Sequence, residues 1–128
     1  MVEMDKAKHV SYWRTSASED LAAAKDMVAR GHVRHGLFFL HLAVEKTLKG
    51  LLVHGTGTIP PKSHDLVQLA ERAGVDLPDD TARLMLRISR YCMEGRYPDR
   101  WNAPPDEPTA TVLLGAGEEL LRWLDRKF

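Results

Sequence analysis

Val33-Arg34-His35-Gly36-Leu37-Phe38-Phe39-Leu40-His41-Leu42-Ala43-Val44-Glu45-Lys46-Thr47-Leu48-Lys49-Gly50-Leu51-Leu52-Val53-His54 is the stretch whose reading decides the fold. Placed on a helix, Leu37, Leu40, Val44, Leu48 and Leu51 recur at steps of three and four, one face of a 3.6-residue period. Phe38, Leu42, Leu52 and Val53 widen the apolar surface well beyond that stripe. A helix that is apolar on more than one side is either central in a bundle or shared with a second chain. Between the two apolar sides stand His41, Glu45 and Lys49 at four-residue steps. Glu45 before Lys49 is the favoured order for an ion pair along a helix. Two readings stay open for it: a boundary salt bridge, or a charge held at an interface or ligand cleft.

Upstream, residues 5–30 read as one long amphipathic helix, with Val10, Trp13, Ala17, Leu21, Ala24 and Val28 as its stripe. Ser16, Ser18, Glu19 and Asp20 are expected to face solvent, although Asp20 lies beside the stripe and can accept from a neighbouring helix. Gly31 stops the helix and makes the turn short, so the first two helices are expected to run antiparallel.

Downstream, the central helix ends near Gly55-Thr56-Gly57, and Thr58-Ile59-Pro60-Pro61-Lys62 reads as an extended loop because prolines push their predecessors out of helical conformation. Ser63 is expected to cap a short helix over residues 64–73, stopped by Gly74. Asp79 or Asp80 then caps a helix bearing Leu84, Ile88, Tyr91 and Cys92. A proline-rich loop over 97–108 leads into a last helix over 109–127, with Leu113, Ala116, Leu120, Trp123 and Leu124 inward. Gly115 and Gly117 inside it are expected to mark close helix contact. The whole, residues 1–128, reads as a single all-α domain: an up-and-down four-helix bundle with an extra short helix.

At 128 residues the chain is long enough for a proper core without metal or disulfide staples. With 18 basic and 18 acidic residues, no global field recruits nucleic acid, and anion binding must come from a local patch. The single cysteine, Cys92, excludes an intrachain disulfide; it reads as a buried thiol more readily than as a nucleophile. No apolar run reaches the length of a membrane span, and Glu3 and Asp5 break any signal-peptide core. A soluble, cytoplasmic protein without membrane contact is expected.

Most catalytic motifs are absent. No Glu has a His three residues later, as a di-iron bundle needs, and no zinc-protease, P-loop or dinucleotide fingerprint occurs. His32-x-x-His35 lacks nearby carboxylates or cysteines, and no serine sits in a strand-to-helix elbow. No metal and no cofactor is expected. Anion binding remains. Arg90, Arg96 and Arg100 can present guanidinium forks to phosphate, and Tyr97 or Trp101 can stack on a base. The alternative is an arginine–aspartate clamp through Asp99 that fixes the loop.

Three pieces together resemble a known family. They are Phe38–Leu52 on the central helix, Ser63-His64-Asp65-Leu66 opening the short one, and Arg90-Tyr91 followed by Gly95-Arg96-Tyr97-Pro98-Asp99. In order and spacing they are similar to a stand-alone HEPN domain, a prokaryotic helical nucleotide-binding module. The resemblance implies a homodimer with a nucleotide or RNA cleft between protomers, and a minimal nucleotidyltransferase as partner in a toxin–antitoxin pair. Nuclease members carry an arginine followed after four to six residues by a histidine. Arg96 matches that arginine, but positions 101, 102 and 103 are Trp101, Asn102 and Ala103. Arg30 and His35 have the spacing at the wrong place, the first helix junction. Without the histidine, acid–base cleavage of RNA loses a principal proton carrier. Binding is therefore expected over cleavage, with a ribonuclease using Arg96 and another base, His64 or Tyr97, as the alternative. A purely structural helical dimer is the third reading.

Overall fold

The structure is a computed structural model and describes residues 5–96 and 104–128; of the α4 side chains, those up to Cys92 are described. Five helices account for it: α1 Lys6–Ala29, α2 Val33–Thr56, α3 Leu66–Arg72, α4 Asp79–Arg96 and α5 Glu107–Asp125. No strand occurs among the described residues. The four long helices form the bundle, and α3 is the extra short one.

The central place of α2 follows from its composition. It packs against each of the other four helices. Leu37, Leu40, Val44 and Leu48 are fully buried, joined by Leu66 and Leu69 of α3, Met85 and Ile88 of α4, and Leu113 and Leu124 of α5. Leu52 and Val53, on the second apolar side that suited either a central place in a bundle or a shared surface, are buried inside this chain. Only Phe38 and Leu42 of that second side stay half-buried. Most of the wide apolar arc is thus explained by the bundle itself.

The first two helices meet through small residues. Along α1 the fully buried stripe is Ala17, Ala24 and Val28, while Val10, Trp13 and Leu21 are half-buried. Facing it, α2 carries Gly36, Ala43 and Gly50 at seven-residue intervals. A Cβ on Gly36 would lie 2.6 Å from Val28 Cγ2 and 3.0 Å from the Ala24 carbonyl oxygen, so the backbones approach too closely for any other residue. Gly31, with φ of 85°, makes the turn between the helices, and the His32 N–H donates to the Met27 carbonyl at 2.8 Å.

Several terminal assignments differ from the sequence reading. Asp65, not Ser63, caps α3, accepting from the Gln68 N–H at 3.1 Å. Ser63 instead accepts from the Asp65 N–H and donates to the Gln68 side chain, bracing the cap from outside. Asp79 and Asp80 are the first turn of α4 rather than its cap, since the Pro78 carbonyl accepts from the Ala82 N–H. Both carboxylates still sit where the helix dipole favours them. Capped by Asp106, α5 starts two residues early. Within it only Gly117 marks close contact, against Leu40, whereas Gly115 has open space where a Cβ would go.

Candidate functional site

The three polar residues read between the apolar sides of α2 come together with His64. His41, Glu45 and Lys49 share one face of α2, and His64 reaches them from the segment that precedes α3. Glu45 is the hub. Its Oε1 accepts from His64 Nδ1 at 2.8 Å, and its Oε2 accepts from Lys49 Nζ at 3.2 Å. His41 Nε2 donates to the His64 carbonyl at 3.2 Å, and its Nδ1 lies 3.8 Å from Glu45 Oε1.

The boundary reading of the Glu45–Lys49 pair is therefore overturned. His41, Glu45 and Lys49 are 0%, 4% and 7% exposed, so the pair is buried. The reason is that α3 and the segment leading to it cover this face, which helical periodicity on α2 alone does not reveal. Both oxygens of the carboxylate have donors, which is what a buried charge requires. His64 is pinned twice, by its ring and by its carbonyl, and so fixes the loop onto α2. Its imidazole is half-exposed. Because a carboxylate only accepts, Nδ1 is the ring nitrogen that carries a hydrogen towards Glu45.

A second polar cluster was read only in part in the sequence, through Asp20. Lys46 Nζ on α2 donates to Ser16 Oγ at 2.8 Å and lies 2.7 Å from Asp20 Oδ2, both on α1. Ser16 thus faces α2 rather than solvent, and Asp20 meets a donor on the neighbouring helix, as its place beside the stripe allowed. Their four-residue spacing on α1, beside the apolar stripe, was the available signal.

The residues read as an anion site are largely beyond what the structure describes. Arg96 is the last residue of α4, but its side chain lies outside the described residues, as do Tyr97, Asp99, Arg100 and Trp101. Arg90 is exposed on α4. Helix α4 continues through Arg96, six positions after Arg90. Arg90 shares a face with Arg83 and Arg87, where Arg83 pairs with Asp80. Arg30 forms a local pair with Asp26 at 3.2 Å and is exposed. His35 lines a cleft of about 390 Å³ with His32, Arg34, Asp106 and Glu107, between the first turns of α2 and α5.

At that cleft the Thr109 side chain and N–H both hydrogen-bond Asp106, and they hold its carboxyl below the ordinary value of 3.8. A carboxylate whose folded pKa is lowered stabilises the fold above its unfolded pKa, and that contribution is lost as pH falls through the folded value. Asp106→Asn keeps a cap acceptor but cannot titrate there. The thermal midpoint of the wild type should therefore fall relative to Asp106→Asn on going from about pH 6 to about pH 2.5. Parallel curves would contradict this.

Among the described residues, no group of three His, Cys, Asp or Glu side chains is placed to hold a metal, and no helix is long and apolar enough to cross a membrane. The sequence profile of the HEPN domain matches residues 10–127. Among solved structures, TT1696 from Thermus thermophilus is similar over 93% of this chain and 98% of its own, with a TM-score of 0.80 and 24% identity. ST0689, an archaeal HEPN homologue, is similar over 92% of this chain and 96% of its own, with a TM-score of 0.72 and 24% identity. At such identity these two likenesses concern the fold. No curated protein matches the sequence. With the profile spanning nearly the whole chain and the five helices in agreement, the chain belongs to the HEPN domain family.

Proposed function

We propose that this chain is a dimeric, cytoplasmic HEPN module that binds nucleotide or RNA through Arg96 without strong cleavage, and works with a minimal nucleotidyltransferase in a toxin–antitoxin type system. The observation that carries the reading is the family match over residues 10–127 together with Trp101, Asn102 and Ala103 where a nuclease member has its histidine. Arg96 keeps the charge and fork that hold phosphate, and the missing imidazole removes the partner that would move the proton. Half-buried Phe38 and Leu42 on α2 and exposed Leu86 on α4 are the apolar side chains that support a partner copy.

Sedimentation with a fluorescent oligoribonucleotide tests mass and binding together. The expected result is a dimer that carries intact RNA. A charged hydrogen bond to phosphate contributes about 1.5–3 kcal/mol, so Arg96→Ala should weaken binding more than about tenfold with little change in thermal midpoint. If Arg96→Ala and Asp99→Ala instead lower stability together and leave binding intact, Arg96 clamps the loop and the reading fails.

One observation favours the ribonuclease alternative. A buried carboxylate orients the half-exposed imidazole of His64, which is how a general base is held. RNA cleavage abolished by both Arg96→Ala and His64→Asn would replace the binding reading with that one.

A further inference from the structure

We propose that the groove between the N-terminal half of α1 and the C-terminal end of α2 binds the backbone of single-stranded RNA, with Lys8, Arg14 and His54 on phosphates and Tyr12 stacked on a base.

The chain as a whole is neutral, yet charge is not evenly spread. From Lys6 to Ser18, α1 carries Lys6, Lys8, His9 and Arg14 and no carboxylate. A local field of one sign is what a phosphate backbone responds to when net charge is zero. This segment borders a groove of about 520 Å³, a size that takes a nucleotide unit. Ser11, Arg14 and Thr15 line it from α1, together with His54 near the end of α2 and Phe128.

Arg14 is positioned before any ligand arrives. Its Cζ lies 4.3 Å from the centroid of the Phe128 ring, a cation–π contact that spends the charge on the ring face rather than on a strong acceptor. The nearest carboxylate contact is Asp125 at 4.0 Å, with both side chains about half exposed, so solvent already weakens it and a phosphate can displace it. Asp5 accepts from the Lys8 N–H as the α1 cap, and the Lys8 side chain is exposed. The His54 ring packs 5.8 Å from that of Phe128, centroid to centroid.

Tyr12 supplies the apolar half of the recognition. It lies beside the groove rather than in its lining, on the same face of α1 as Lys8 four residues earlier, and is 62% exposed, with its ring set edge-on to Trp13 at 5.3 Å. An exposed aromatic held in place beside cations is the arrangement that takes unpaired bases, whose stacking tolerates any sequence. Duplex offers no free base face, so single strands are the class that fits.

The proposal shares an RNA ligand with the reading above but uses different residues, so the two can fail separately. Anisotropy of a fluorescein-labelled oligouridylate of about ten nucleotides, at about 50 mM salt, reads both. Lys8→Glu, Arg14→Gln and Tyr12→Ala should each weaken binding about fivefold or more. Lys8→Glu and Tyr12→Ala change exposed side chains and should leave the thermal midpoint unchanged, which keeps the test sound even if Arg14→Gln loosens the Phe128 packing. Arg14→Gln should also reduce the slope of log affinity against log salt by about 0.7, one phosphate contact on a single strand. Loss on these variants with none on Arg96→Ala supports the groove and removes Arg96. Loss on Arg96→Ala alone, with the α1 variants within about twofold of wild type, overturns the groove and leaves Arg96. A wild type that binds no oligouridylate overturns the groove and leaves Arg96 with nucleotide alone as its ligand.

Discussion

Glu45→Ala should destabilise the protein by about 3–5 kcal/mol, lowering the thermal midpoint by roughly 10–20 °C. The carboxylate is 4% exposed and answers two donors, Lys49 Nζ at 3.2 Å and His64 Nδ1 at 2.8 Å. Removing it leaves Lys49, itself 7% exposed, as a buried charge without its counter-ion. It also frees the ring of His64, one of the two points that hold the segment before α3. The lysine is the larger part of the cost, since the imidazole is half-exposed and water can serve it. Two companion variants separate the contributions. His64→Ala should cost only about 1 kcal/mol, because it leaves the Glu45–Lys49 pair intact. Replacing both charges, as Glu45→Leu with Lys49→Met, should recover most of the stability, since apolar groups of similar volume need no partner. Chemical denaturation of the four proteins measures this. Loss of less than about 1 kcal/mol in Glu45→Ala would mean that water already reaches Lys49 and that the cluster is not a buried ionic hub.

The second expectation is a reversal of sign between two glycines in helix interiors. Alanine is favoured over glycine in a helix by about 1 kcal/mol, and nothing stands within 4 Å of a Cβ on Gly115. Gly115→Ala should therefore stabilise by up to about 1 kcal/mol. Gly36→Ala has the same propensity gain, yet its Cβ would sit 2.6 Å from Val28 Cγ2, 3.0 Å from Ala24 O and 3.1 Å from Val28 N. The valine methyl can rotate, but the two backbone atoms belong to α1 and cannot move without parting the helices. Overpacking of this kind costs about 1–3 kcal/mol, and here it acts between the backbones of α1 and α2. The net change should be a loss of about 1–2 kcal/mol, with Gly36→Leu close to unfolding the pair. Midpoints of urea denaturation decide it. If Gly36→Ala is as stable as wild type, α1 and α2 are farther apart than the structure has them.

Both expectations concern positions whose meaning the linear chain conceals in part. On α2, His41, Glu45 and Lys49 were legible as a row because helical spacing sets them on one face whatever surrounds it. Their burial was not legible. It depends on a segment nineteen residues beyond Glu45 folding back so that His64 meets the carboxylate. The histidine after the two prolines carried the only sequence hint. Likewise Asp20 was marked as a possible acceptor beside the α1 stripe, but Lys46 as its donor required knowing which side of α2 meets α1.

By itself the sequence determined the helices, their order and the family. Apolar period, capping residues and prolines act within a few residues, so they write element type and approximate ends directly into the chain. Single-residue details such as Asp65 for Ser63 were lost because two neighbouring cap-formers compete, and only backbone geometry chooses between them. What the tertiary structure alone decided is how α2 is covered. Leu52 and Val53, which the sequence left to either a bundle or a second chain, are enclosed by this one, and a salt bridge read at a boundary or an interface became a buried hub. The physical reason is that burial depends on every element that packs against a face. Periodicity shows that a face seeks cover, and only the folded chain shows what provides it.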